Sequence, residues 1–399
     1  MIVDLTNNVG TQDPASDELA QMDTAARLAR LRERFETVGI DALVVTDLAN
    51  IRYLSGFTGS AAVLLVTAES ALITTDGRYR TQCLEEVKAA GLDRLVDVEI
   101  GGMAAQRDAL KARLGSEART SSSKVGLESE KISWGGAQRM IELFEGANVI
   151  TTSGVVEALR EIKDAGEVAR IKRAAAIADA ALLEVLPMLA TKSEATGSTE
   201  ASFALALDTA MRRLGAEGTA FETIVASGPN SARPHHQPSS REILRGDPVV
   251  VDFGAVYDGY RSDMTRTFCV SRDPEGELAR VFEVVGKAQA AGVDAVMAGV
   301  AAKSVDDACR AIISDAGWAQ AFEHGTGHGV GLDIHEDPTV GPLSNTELHE
   351  GVVVTVESGV YLPAFGGVRI EDTLVVSNGG CESLTKFKKT VSTIDACIV

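Results

Sequence analysis

A chain of 399 residues is too long for one small core, and at ~150 residues per domain it suggests two domains, or three. It carries 38 basic and 57 acidic side chains, a formal net charge of −19, which argues against nucleic acid and against anionic membrane surfaces as partners. No apolar run reaches the ~20 residues of a membrane span, the opening residues do not resemble a signal sequence, and five scattered cysteines without a CxxC pair suit reduced thiols in a cytoplasm.

In chain order, residues 1–22 are polar and acidic, include Pro14, and read as a mobile tail. Asp23 or Thr24 is placed to cap a helix whose Leu28, Leu31, Phe35 and Val38 form one apolar face and which Gly39 ends. Runs at 42–46, 61–67, 71–75 and 124–127 read as strands, and 79–90, 103–114 and 135–145 as helices. That alternation describes a small α/β domain over 23–153. Past the junction TTSGVVEALR, a second domain of α+β character over 154–399 has helices near 167–189, 199–214, 276–298 and 304–316, then long strand pairs.

The strand pairs hold the chemistry. Asp252, Asp263, Glu357 and Glu371 lie in apolar, strand-like runs, and His328 lies in HGTGHGVGLDIHE. Isolated buried carboxylates cost several kcal/mol each, so groups of opposite charge are expected among them. Asp258-Gly259 favours a type I′ hairpin turn, and pairing about that turn sets Gly254 opposite Asp263 with Asp252 diagonally across on the same face. A second hairpin closed about Ala364 sets Glu357 directly opposite Glu371. The competing structural readings are a strand-end role for Asp252, ion pairs of Asp263 with Arg261 or Arg266, and an ion pair of Glu371 with Arg369.

Four carboxylates match two divalent cations, and oxygen-dominated ligation with one imidazole suits manganese, cobalt, iron or catalytic zinc. Two ions ~3.5–4 Å apart can generate a hydroxide at neutral pH and polarise a carbonyl, so amide hydrolysis is the natural chemistry. Five of the six histidines fall in two short segments, His235-His236 and the series His324, His328, His335. His235 and His335 are candidates for hydrogen-bonding the substrate and a developing oxyanion, and His324 for the pocket wall. His236 reads as a neighbour of the useful residue, and His349, in NTELHEG, as a surface residue.

These residues resemble the pita-bread metallopeptidases, which include aminopeptidase P, prolidase and methionine aminopeptidase. VDFGAVYDGYRSDMTRTF, HGTGHGVGLDIHE, TVESGVYLP and GVRIEDT are similar to that family's successive metal and substrate motifs, and IVASGPNSARPHH to its substrate-side histidine segment. In front, LANIRYLSGFTGSAAVLLV and TTDGRYR resemble the N-terminal domain of Xaa-Pro peptidases, and LREIKDAGEVARIKRAA the linker and first helix that come after it. Methionine aminopeptidases usually lack such a front domain, and creatinase lacks the ligands, so the Xaa-Pro branch is favoured.

The resemblance implies a pita-bread catalytic domain preceded by a smaller creatinase/prolidase-like α/β domain. It implies metal ligands Asp252, Asp263, His328, Glu357 and Glu371, with a bridging hydroxide attacking the carbonyl before proline. Glu357 would assist proton movement, and His235 and His335 would stabilise the tetrahedral intermediate. Arg369 would orient Glu371 or meet a substrate carboxylate, and Tyr361 would be a pocket tyrosine. The cofactors would be two divalent ions per subunit, manganese foremost, with cobalt, zinc or iron as alternatives. The partners would be short proline-containing peptides, cleaved by dipeptidase or aminopeptidase action, and a second subunit in a cytoplasmic homodimer. One departure is Ser358, where the family commonly has proline. The alternatives are another metal-dependent amide hydrolase or a lyase on the same fold, or a non-catalytic binding module.

Overall fold

The computed structural model describes residues 19–117 and 123–389, so most of the tail expected over 1–22, together with Cys397, lies outside the described residues. Among the described residues two compact units emerge, Met22–Arg160 and a second running on from Glu161.

In the front unit, the strands Asp97–Ile100, Ala71–Thr75, Ala62–Thr67, Ala42–Val45, Lys124–Glu128 and Asn148–Thr152 form one sheet in that spatial order. The central strands run antiparallel through two hairpin-like pairings, and the outer pairs are parallel. The β-branched and leucine-rich centre, with Leu43, Val44, Leu64 and Leu65 fully buried, forms the core. The first helix, Thr24–Val38, ends at Gly39 with φ +75°, while Asp23 stands at its N-cap without a capping side-chain bond. Helix Leu48–Ser55 and strands Asp97–Ile100 and Asn148–Thr152 were not legible in the apolar pattern. The helix is short and depends on its ends: the Asp47 carboxylate accepts from the Asn50 amide at 3.1 Å, and Gly56 closes it at φ +76°. Residues 154–160 belong to this unit, held where the Tyr53 hydroxyl donates to the Leu159 carbonyl (3.0 Å) and Arg160 to the Asn50 side chain (2.8 Å).

The second unit is built from two sheet-and-helix layers. Helices Ala165–Val185 and Glu200–Arg213 share a core with the three-stranded sheet Met264–Cys269, Pro248–Phe253, Ile224–Ser227. Helices Gly276–Ala295 and Ala302–Asp315 share another with the five-stranded sheet that includes the long hairpin Val353–Leu362 and Gly366–Ser377. The sheets meet where the Thr267 hydroxyl donates to the Arg369 carbonyl (2.8 Å) and accepts from the Arg369 amide (3.0 Å). Helices outside and sheets inside leave the interior to the residues on the strands' inner faces, which is the pita-bread arrangement.

Candidate metal centre

Hairpin geometry places the acids. Asp258 and Gly259 have φ of +45° and +74°, as a type I′ turn requires, and Val256 pairs with Arg261 and Asp252 with Thr265 in the expected register. The chain pinches at Gly254, where a Cβ would lie 1.9 Å from the Ser262 carbonyl oxygen, so no side chain fits beside Asp252 and Asp263. In the long hairpin Glu357 pairs directly with Glu371. His328 sits mid-strand in Gly327–Gly329, and Gly327 must be glycine because a Cβ there would meet the Thr355 carbonyl oxygen at 2.1 Å.

One ligand atom each from Asp263, His328 and Glu371 falls within 4.8 Å of the others. His328 Nδ1 donates to the Gly329 carbonyl at 2.9 Å, which leaves its Nε2 lone pair facing Asp263 Oδ2 at 3.6 Å and Glu357 Oε1 at 3.9 Å. Burial pushes this imidazole down to about 4, so it is neutral, the form that ligates metals. Burial, reinforced by mutual repulsion, pushes the Asp263 and Glu371 carboxyls well above the usual range, and burial with the Asp252 charge brings Glu357 up to about 8. Asp252 Oδ1 is buried with no hydrogen-bond partner among the described residues. An orphaned carboxylate oxygen beside three further acids and a neutral imidazole is a donor set that fits divalent cations.

Among the described residues lining the cluster, Arg369 is the one strong counter-charge. Its Nη2 pairs with Asp252 Oδ2, Nη1 donates to the Tyr361 hydroxyl (2.9 Å) and the Pro234 carbonyl (3.1 Å), and Nε donates to Thr265 Oγ1 (3.1 Å). Among the described residues Arg369 forms no ion pair with Glu371; it reaches that carboxylate through Thr265, whose hydroxyl donates to Glu371 Oε2 at 2.7 Å. Among the described residues the simpler ion pairs are absent too. Arg266 instead binds Asp372 at 2.8 Å, and Arg261 is spent on the Leu332 and Ala220 carbonyls.

The site opens into a cavity of about 590 Å³ lined by Asp252, Asp263, His328, Glu357 and Glu371, and by His235, His324, His335 and Arg369. Tyr361 stands behind that wall, fixed from two sides. His324 Nδ1 donates to the Gly325 carbonyl (2.7 Å), so its Nε2 accepts from the Tyr361 hydroxyl (2.9 Å), which in turn accepts from Arg369. The His335 ring lies edge-on to His328, with centroids 4.5 Å apart. His349 is half exposed beside Glu347, as a surface residue would be. Ser358 is buried on the strand face opposite that of Glu357 and takes no ligand position.

Three supporting residues escaped the sequence reading. Thr265 is one. Glu200, fully buried in the first turn of its helix, is another: its carboxylate accepts from the Ser227 and Ser239 amides and from Asn230, and bonds His236 Nε2 at 2.8 Å. His236 thus anchors the loop that carries His235. The third is Asp306, buried, which accepts from Thr326 Oγ1 at 2.8 Å and pairs with Arg310, whose guanidinium also donates to the His324 carbonyl at 2.9 Å. A charged residue on the apolar face of a helix was the available signal for Asp306.

Residues 169–378 match metallopeptidase family M24, and residues 27–162 match the Creatinase/Prolidase N-terminal domain. The chain belongs to family M24 and is a metallopeptidase. It is similar to the uncharacterized peptidase YqhT of Bacillus subtilis, 36% identical over 91% of this chain and 98% of the relative. Among solved structures it resembles an Xaa-Pro dipeptidase from Bacillus anthracis, with TM-score 0.86 and 36% identity over 93% of this chain and 99% of the other. It also resembles an X-Pro aminopeptidase from Thermotoga maritima, with TM-score 0.80 and 35% identity over 91% and 99%.

Proposed function

We propose that this metallopeptidase hydrolyses the peptide bond preceding proline, with two divalent ions held by Asp252, Asp263, His328, Glu357 and Glu371. The observation that carries the reading is the buried cluster of four acids and a neutral imidazole, in which one oxygen of Asp252 has no partner among the described residues. When bound, the ions would supply Lewis acidity and an activated water. Glu357, whose carboxyl is pushed up to about 8, is suited to accept and return a proton near neutral pH. His235 and His335 face the cavity and would donate to the developing oxyanion. Water adds across the amide, and the proline nitrogen leaves with a proton.

Xaa-Pro specificity draws support from the similar dipeptidase and aminopeptidase, and from chemistry. The bond before proline has no N–H and a fixed φ, so a site that grips an extended backbone through that N–H serves it poorly. Manganese, a homodimer and a cytoplasmic setting belong to the same reading. Among the described residues, no helix is long and apolar enough to cross a membrane.

The direct test strips the protein with chelator, restores manganese, cobalt, zinc or iron singly, and assays Xaa-Pro peptides against matched Xaa-Ala peptides. Metal-dependent cleavage confined to the proline series is expected. Metal-bound protein that cleaves neither series, or both equally, contradicts the assignment.

Metal uptake should also be proton-linked. The carboxyls of Asp263 and Glu371 are raised well above their usual range and that of Glu357 to about 8, so protons compete with cations and are lost as pH rises. Affinity for manganese should therefore increase from pH 6 to pH 8, with net proton release seen calorimetrically in buffers of different ionisation enthalpy. A pH-independent affinity with no release would count against the raised carboxyls.

A further inference from the structure

A peptidase of this type must discriminate between proline that ends a peptide and proline that continues into one, and the two differ by one charge. In an Xaa-Pro dipeptide the proline bears a carboxylate, whereas in a longer peptide the same atoms form a neutral amide. Among the described residues lining the cavity, Arg369 is the only lysine or arginine. Four of its five N–H donors are committed, to Asp252, Tyr361, Pro234 and Thr265, and the side chain is buried. Its charge is already matched by Asp252. Five acids and this single arginine leave the lining four charges negative, which two divalent cations would cancel without surplus. The fifth acid, Glu222, is exposed at the cavity and has no role in the metal cluster. His324 has both ring nitrogens engaged, by the Gly325 carbonyl and the Tyr361 hydroxyl, and His236 is turned to Glu200.

We infer that this site selects peptides continuing beyond proline, Xaa-Pro-Yaa and their uncharged analogues, over Xaa-Pro dipeptides, and that Glu222 contributes to the rejection of a carboxylate there. The inference rests on the Xaa-Pro reading above. A carboxylate brought in would leave water for a cavity whose one described arginine is already paired with Asp252, while the amide loses only neutral hydrogen bonds. The volume of about 590 Å³ suits the larger ligand, since pockets of ~300–1,000 Å³ take drug-sized molecules.

The test compares kcat/KM of the manganese-loaded enzyme on Ala-Pro, Ala-Pro-amide and Ala-Pro-Ala. Ala-Pro-amide is close to Ala-Pro in size and differs in the charge at issue. The amide and tripeptide should exceed the dipeptide on the order of 10- to 100-fold, the scale of one unfavourably placed charge. Glu222→Lys should narrow that gap by roughly fivefold or more, chiefly by raising dipeptide cleavage. An equilibrium readout accompanies the kinetics: calorimetric binding of the products, in which prolinamide should bind more tightly than proline. A dipeptide cleaved as fast as the amide, or proline binding as tightly as prolinamide, overturns the inference and leaves the Xaa-Pro assignment standing. Absence of cleavage in all three, with metal bound, overturns both.

Discussion

Asp263→Asn should lose its metals and, with them, at least ~10²-fold in kcat/KM, since even residues that only support a ligand are worth 10- to 100-fold. Asp263 is buried, shares a 4.8 Å cluster with His328 and Glu371, and lies 3.6 Å from the His328 nitrogen that faces the acids. Asparagine keeps the shape but removes the charge, and turns a second oxygen into an N–H₂ that no cation tolerates. Metal analysis and activity give the first readout. Thermal unfolding gives a second with a different sign. Without metal the wild-type carboxylates repel one another, so metal-free Asp263→Asn should melt no lower than metal-free wild type. Added manganese should raise the melting temperature of the wild type and leave the variant nearly unmoved, because ligand stabilisation scales with affinity. A variant that retains both metals and normal turnover shows that Asp263 is no ligand.

His235→Ala should separate chemistry from metal binding: full metal content and a kcat lower by ~10²–10³-fold, the range for loss of an oxyanion donor. Its ring is exposed on the cavity wall, and the loop beneath it is tied down by Glu200 through His236, Ser227, Ser239 and Asn230. The position of His235 is thus set by the loop, so truncating the ring should leave the loop in place. Normal kcat in the metal-loaded variant removes His235 from the mechanism; loss of metal instead would make its role structural.

Much of this centre was written locally. Asp258-Gly259 specifies a tight primed turn, and a turn of known length fixes which residues face each other along the whole hairpin. The register expected from that turn, with Gly254 opposite Asp263, is the one in which Asp252 pairs with Thr265. The same holds for Glu357 and Glu371, where symmetry about Ala364 gave the observed pairing. What could not be read was contact between sheets. Period-two alternation puts Arg369 and Glu371 on one strand face, but it cannot say that the guanidinium turns to Asp252 on another sheet, or that Thr265 bridges the difference. Glu200 was invisible for a related reason: its partners lie 27 to 39 residues downstream, and nothing in a helix's opening turn announces them. The short helix Leu48–Ser55 was lost because its two turns rest on end caps rather than on an apolar stripe long enough to show a period.

The opposition of Glu357 and Glu371 has a mechanical side. Ten consecutive residue pairs zip the strands that carry them, so the spacing of the two stems is held by a ladder of main-chain hydrogen bonds. The hairpin is in this sense a ruler. It cannot slide to suit a larger or smaller cation without turning every inward side chain outward, which leaves ion radius to be accommodated by carboxylate torsions alone.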